Sequence, residues 1–427
     1  MGFYDLKEIP DYELKEPFYV EGKKWTSRFN YELEKPENHR ESVTIYDVTL
    51  RDGDQTPDSA FKEDERVRIA DQLAALKVPR IEAGMPMVSK AVENAMRTIA
   101  KRGYKDTKVY AFTRAAEVDI DLALDIGVDG VVIEYTVNPI FIKHAYQKTP
   151  AEMIDMLTGA INKAKAGGLD VAFMGWDWFR APLEFTTAVM DELVARTKLD
   201  GVVIVDTFGC ATPDVVYEMF KIMKERYPGL RLEFHGHNDI GCGVANCLAA
   251  MWGGAEVLHT AMNGMGERCG NVPTEELATL LEIHKGIDTK MDLSQIALTC
   301  ELVSKMSNVP FYDTKPIMGT RMMKMEPGVA MDVTWKLENN DKFYCTNSFV
   351  SVTPSVFGRK EDVKFVLGKS SGKNSIRLIA SYNGINDLTD EEVDKLTDMV
   401  VEEGLVTKHL VSDAMFLDFI ASIRETK

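Results

Sequence analysis

Leu230-Arg231-Leu232-Glu233-Phe234-His235-Gly236-His237-Asn238-Asp239 reads as a strand that ends in chemistry. Alternate residues of a strand share a face, so His235 and His237 point the same way. Two imidazoles at that spacing can bind one divalent metal, and a carboxylate is the usual third ligand. The plainer alternative is a pair of core histidines donating to backbone carbonyls. A lone histidine fits that alternative. A His-x-His at a strand terminus, followed by Asn-Asp, favours the metal.

Seven other short, β-branched runs accompany this one. The eight strand candidates are 43–50, 80–86, 108–113, 130–136, 170–175, 201–208, 230–237 and 257–263. Several are apolar at nearly every position, as parallel strands covered on both faces are. Helix-period segments such as 63–76 and 151–166 lie between them, acids early and bases late. The expected fold is α/β: a (β/α)8 TIM barrel over 43–286, with an N-terminal extension 1–42 and a C-terminal accessory α/β region 287–427. An open doubly wound sheet would spread the strand ends along an edge, whereas a barrel gathers them in one mouth. The chemically loaded residues cluster at those ends, which favours the barrel. In the accessory region, 291–306 reads as a helix and 316–333 as a Met-rich segment broken by Gly and Pro. Helices are expected at 389–403, with Thr389 as N-cap and Glu392 as capping-box partner, and at 412–423.

Composition narrows the function. The 427 residues carry 50 Lys+Arg against 67 Asp+Glu, a net charge of −17, which argues against a broad nucleic-acid-binding face. No apolar run approaches the about 20 residues of a membrane span. The first 35 residues have no apolar core of a signal peptide and are too acidic for a transit peptide. The six cysteines (Cys210, Cys242, Cys247, Cys269, Cys300, Cys345) form no C-x-x-C pair and read as reduced thiols. A cytoplasmic protein is expected.

Two more motifs complete the pattern. Strand one closes in Asp47-Val48-Thr49-Leu50-Arg51-Asp52-Gly53-Asp54-Gln55, which brings the carboxylate of Asp52 to the same rim. Strand eight leads into Gly264-Met265-Gly266-Glu267-Arg268-Cys269-Gly270-Asn271, which alone could be a phosphate-cradling loop. Together the three runs resemble the DRE-TIM metallolyases, and within them the acetyl-CoA-dependent Claisen synthases (isopropylmalate, citramalate, homocitrate and Re-type citrate synthases). Glu82 in Ile81-Glu82-Ala83-Gly84, Thr207 in Asp206-Thr207-Phe208-Gly209, and the homocitrate-like Phe141-Ile142-Lys143-His144 carry the likeness further. So does the Gly368–Lys373 run, with Ser370 where the family has His.

The resemblance implies roles. Asp52, His235 and His237 would hold a divalent metal (Mg, Mn, Co or Zn), with Asn271 on or near it. The metal would chelate a 2-oxo acid, and Arg51 would add positive charge at the developing alkoxide. Gln55 and Thr207 would position the substrate, and Arg180 could take a distal carboxylate. Glu82 would support the rim, or simply pair with a barrel arginine or lysine. Acetyl-CoA, or another acyl-CoA, and a 2-oxo acid would be the partners, in a homodimer. The long regulatory domain of isopropylmalate synthases is not expected after the barrel.

The departures are as informative. Where the synthases end strand five in Phe-Ser-x-Glu-Asp, this chain reads Phe173-Met174-Gly175-Trp176-Asp177, with Trp176 in place of the catalytic Glu. Where the family carries His-x-x-Gly-Ile-His, Met325 and Ala330 replace both histidines. Another base is required. His144 is the first candidate and a solvated loop histidine the plain alternative; Asp177, Glu326 and a metal-bound hydroxide follow. Cys269 reads as a small buried hydrophobe rather than an acid. The expected reaction is condensation of an acyl-CoA with a 2-oxo acid to a hydroxy di- or tricarboxylic acid. A lyase cleaving a 3-hydroxy acid or its thioester is the alternative, and a barrel that binds but does not turn over is a third.

Overall fold

The computed structural model describes residues 13–339 and 349–425. Cys345 and the first part of the N-terminal extension lie outside the described residues. The chain divides into two compact units, one formed by residues 32–311, the other by 312–425 together with 13–31.

The first unit is a closed eight-stranded parallel barrel. Its strands are β1 (Thr44–Asp47), β2 (Arg80–Glu82), β3 (Lys108–Arg114), β4 (Gly130–Thr136), β5 (Asp170–Trp176), β6 (Gly201–Asp206), β7 (Arg231–Gly236) and β8 (Val257–Thr260). Each strand pairs in parallel with the next, and β8 closes on β1 with Val257 opposite Thr44. The connecting helices are α1 (Glu63–Ala75), α2 (Lys90–Ala100), α3 (Glu117–Ile126), α4 (Pro150–Ala166), α5 (Leu183–Arg196), α6 (Pro213–Arg226), α7 (Gly243–Gly253) and α8 (Thr274–Thr279). Local chemistry sets their starts. Before α4, Thr149 caps the Glu152 N–H at 3.3 Å, and the Glu152 carboxylate accepts the Thr149 N–H at 2.8 Å. The helix Ile296–Ser307 belongs to this unit; Thr299 and Cys300 accept hydrogen bonds from Gln72 and Asn263 at 3.2 and 2.9 Å.

Two cores follow from strand alternation. Side chains facing outward pack under the helices. Those facing inward form a cluster that includes Tyr46, Val48, Tyr110, Phe112, Val132, Met174, Val203 and Val205. Toward the strand starts, the interior carries a buried ion network. Arg231 donates to Asp170 and Glu233 at 2.8 and 2.7 Å, Tyr110 to Asp170 at 2.9 Å, and His259 meets Glu233 at 3.0 Å. Each of these charges has a partner, as buried charges require.

The second unit has its own core of Met331, Leu367, Ile376, Leu396, Val400, Phe416 and Ile420. Helices Gly328–Glu338, Lys373–Tyr382, Asp390–Thr407 and Asp413–Glu425 supply it, beside a two-residue parallel pair, Lys324–Met325 with Lys364–Phe365. Thr389 and Glu392 form the expected capping box, at 3.0 and 3.2 Å. From the N-terminal side, the Trp25 N–H reaches the Ser351 carbonyl at 2.9 Å. No helix among the described residues is long and apolar enough to cross a membrane.

Candidate active site

The C-terminal ends of β1 and β7 bring three side chains together. Asp52 lies in the turn after β1, and its N–H caps back on the Val48 carbonyl at 2.9 Å. His235 ends β7 on its inward face and His237 follows two residues on. The His235 Nε2 is 3.1 Å and the His237 Nε2 3.9 Å from Asp52 Oδ2. Ligand atoms of the three lie within 4.8 Å of one another, and all three residues are buried.

Their electrostatics suit a cation. Burial alone would raise the Asp52 carboxyl, but Arg51 and both imidazoles hold it far below the usual carboxylate range. Burial lowers His235, and it lowers His237 to about 4, with His235 adding to the effect. At neutral pH the set is one carboxylate and two neutral imidazoles, the protonation state that binds metal. Asp52 Oδ1 is buried with no hydrogen-bond partner among the described residues, so a donor or a cation is owed to it. These residues fit a divalent ion.

The glycine loop delivers a fourth group. Asn271 bridges His237, and its side-chain amide donates to the Met265 carbonyl at 2.9 Å, leaving Oδ1 as the uncommitted end. The glycines here serve close approach rather than phosphate. A Cβ on Gly270 (φ +80°) would sit 1.8 Å from the Gly264 carbonyl oxygen, and one on Gly266 (φ +150°) 2.3 Å from the Asn271 amide nitrogen. Cys269 is exposed on this loop, contrary to its reading as a buried hydrophobe, because the loop turns outward at Glu267–Cys269.

Arg51 is fixed on two sides. Its Nε donates to Glu82, its Nη1 donates to Asp52 at 2.9 Å, and its guanidinium stacks 4.2 Å above the Phe112 ring. Its Nη2 is buried without a partner among the described residues. Glu82 is fully buried and also accepts from Tyr46 at 3.1 Å, so it is the counter-charge that orients Arg51.

The remaining candidates are placed differently. Thr207 Oγ1 accepts the Asp177 N–H at 2.7 Å at the end of β6. Arg180 is forked onto Asp177 at 2.6 and 3.0 Å and stacked 3.6 Å from the Phe208 ring centre. A distal carboxylate would therefore compete with Asp177 for it. Gln55 is exposed after the turn that carries Asp52. His144 is exposed at the end of the short helix Pro139–His144. Asp177 is taken up by Arg180 and by Asn138 at 2.7 Å. Glu326 accepts the Ser370 N–H at 2.9 Å within the second unit. Met325 lies in the Lys324–Met325 strand, and Ala330 is buried in the Gly328–Glu338 helix.

One residue escaped the sequence reading. Glu134 sits in β4, on the face that carries Val132 into the barrel interior. Burial pushes its carboxyl up to about 7, Arg51 opposes this, and Asp52, Glu82 and Glu267 reinforce it. The signal was a single acid inside the apolar run Val131-Val132-Ile133-Glu134-Tyr135.

Comparison with known proteins bears on the family and the fold. The chain matches the HMGL-like family over residues 42–303. It is 33% identical over 383 residues to the (R)-citramalate synthase CimA of Methanocaldococcus jannaschii, covering 90% of this chain and 74% of that one. It is 31% identical over 392 residues to the homocitrate synthase AksA of the same organism, covering 91% and 92%. Among solved structures, the HMG-CoA lyase of Bacillus subtilis matches with a TM-score of 0.59 at 20% identity, over 65% of this chain and 97% of that one, a likeness of fold. The chain belongs to the HMGL-like family.

Proposed function

We propose that this chain is a metal-dependent acyltransferase that condenses acetyl-CoA, or another acyl-CoA, with a 2-oxo acid, giving a hydroxy di- or tricarboxylic acid and free CoA. The observation that carries this reading is the Asp52–His235–His237 cluster with Arg51 forked beside it. Relatives at 31–34% identity named citramalate and homocitrate synthase support the direction of reaction.

A divalent ion held by Asp52, His235 and His237, with Asn271 Oδ1 beside it, would supply Lewis-acid polarisation of the keto group. Arg51 answers the charge that develops on the keto oxygen. Its unpartnered Nη2 is a donor held ready in a dry site, where such a contact is strongest. Glu82 and Phe112 hold the guanidinium against rotation. Thr207 and Gln55 position the 2-oxo acid at the rim, and Arg180 guards its distal end through exchange with Asp177. A cytoplasmic homodimer, organised as extension, barrel and accessory region, belongs to the same reading.

The loss of family base positions at Trp176, Met325 and Ala330 keeps a second reading in view, cleavage of a 3-hydroxy acid or its thioester, which would use the same metal and Arg51. The deciding experiment incubates metal-loaded protein with acetyl-CoA and each of pyruvate, 2-oxoisovalerate, oxaloacetate, 2-oxoglutarate and glyoxylate, with products identified by mass spectrometry. One condensation product is expected. Products from none, with cleavage of a 3-hydroxy acid thioester instead, would establish the lyase.

A further inference from the structure

Condensation needs a base for the acyl methyl proton, and the family's positions for it are an indole, a thioether and a methyl group here. The barrel mouth nevertheless holds a carboxylate with no assigned task. Glu134 lies on the inward face of β4, two residues beyond Val132 toward the mouth. The β4–β5 register sets Glu134 opposite Met174 and Thr136 opposite Trp176. Glu134 is thus one strand across, and two residues deeper, from the position the missing Glu would occupy.

Its partners, or lack of them, set it apart. Asp47 binds Thr49 and Thr274, Glu82 binds Arg51 and Tyr46, Asp177 binds Arg180, Asp206 binds the Cys210 and Ala211 N–H groups, and Glu233 binds Arg231 and His259. Glu134 makes no hydrogen bond or ion pair among the described residues, and it is only partly buried. A structural carboxylate in a barrel would be paired. The charged groups that act on it are Arg51 and Asp52 after β1, Glu82 of β2 and Glu267 of the glycine loop, and Tyr146 is beside it. Burial raises its proton affinity first, Arg51 opposes this, and Glu82 and Glu267 add to the rise.

The wall beside it is apolar. Tyr135 packs on Tyr146 and Phe141 on Trp176, each pair with ring centres 4.9 Å apart. Such rings offer apolar surface to an acyl thioester, beside a carboxylate that stays partly open.

We infer that Glu134 is the catalytic base that removes the methyl proton of the acyl thioester, a role that rests on the synthase reading above. The Glu134 carboxylate takes the proton as the methyl C–H bond breaks. The freed electron pair forms the C–C bond to the keto carbon, and the keto π pair moves onto oxygen, facing Arg51. The alkoxide then takes back the proton held by Glu134. Water cleaves the thioester to the acid and the CoA thiol.

The test compares wild type, Glu134→Gln, Glu134→Asp and His144→Ala in the metal-loaded protein, with the 2-oxo acid that gives product. Glu134→Gln is expected to lower kcat about 10²–10³-fold, with KM for the 2-oxo acid and metal content unchanged. Glu134→Asp should retain part of the rate and show a larger isotope effect with trideuterated acetyl-CoA. His144→Ala should behave as wild type. A Glu134→Gln kcat within about threefold of wild type, or a loss confined to KM, overturns the role of Glu134 and leaves the synthase reading standing. So does a loss matched by His144→Ala but not by Glu134→Asp. A wild type that forms no product with any of the acids overturns the synthase reading and this role with it.

Discussion

Arg51 carries three separate demands on one guanidinium. It neutralises Glu82, steadies Asp52 and leaves Nη2 unpartnered, which the proposed reaction uses at the substrate oxygen. A lysine offers one point charge and cannot span the first two while presenting the third. Arg51→Lys should therefore bind metal as wild type does and lose about 10²–10³-fold in kcat; an unchanged kcat would remove Arg51 from the account. Glu134 makes a prediction of opposite sign, on stability. Its carboxyl stands at about 7 in the fold, against about 4.3 in an unfolded chain. Between those values the folded state holds the proton more tightly, so stability falls as pH rises, and the cost is complete above the folded value. In metal-free protein, Glu134→Gln should raise the melting temperature at about pH 8 and leave it nearly unchanged at about pH 4. An equal shift at both would contradict the burial of this carboxyl. The sequence made the first case legible and hid the second. Arg51 and Asp52 adjoin in a motif, whereas Glu134 gains meaning only when strand alternation turns it toward residues far away in the chain.

At the scale of elements, the eight strands were legible because parallel strands buried on both faces read as apolar runs. Their ends were not. The 43–50 run continues apolar past Asp47, yet the strand stops there, because Val48 to Asp52 turn to carry the site. Nor was the ion network inside the barrel foreseen, since Asp170, Arg231, Glu233 and His259 are scattered over three strands. The glycine loop shows how a motif with a plausible phosphate reading acquires another in three dimensions. Its glycines let the Asn271 segment close against Gly264. Gly270→Ala places a Cβ on a carbonyl oxygen at a left-handed backbone position. It should cost about 2–4 kcal/mol in chemical denaturation and weaken metal binding. Stability and metal affinity equal to wild type would show that this turn does not set the proposed fourth ligand, Asn271.

The described residues form two compact units, each with its own packing, so stability need not be one quantity. The barrel unit is built on parallel strands, the second on helices around Leu396 and Phe416. Leu396→Ala should destabilise the second unit by about 2–5 kcal/mol, visible as an earlier calorimetric transition, while the metal affinity of the barrel stays constant. A fall in metal affinity would show that the site depends on the second unit. The net charge of −17 argues against broad anion attraction, so the proposed anionic substrates would depend on local cations such as Arg51 rather than on the field of the protein. Metal-dependent condensation is tested by a free-thiol assay with acetyl-CoA and the preferred 2-oxo acid, run on metal-loaded protein, on chelator-stripped protein and on Asp52→Ala. Thiol release is expected from the first, none from the second until metal is restored, and none from the third at any metal concentration. Thiol release by Asp52→Ala at the wild-type rate would contradict it.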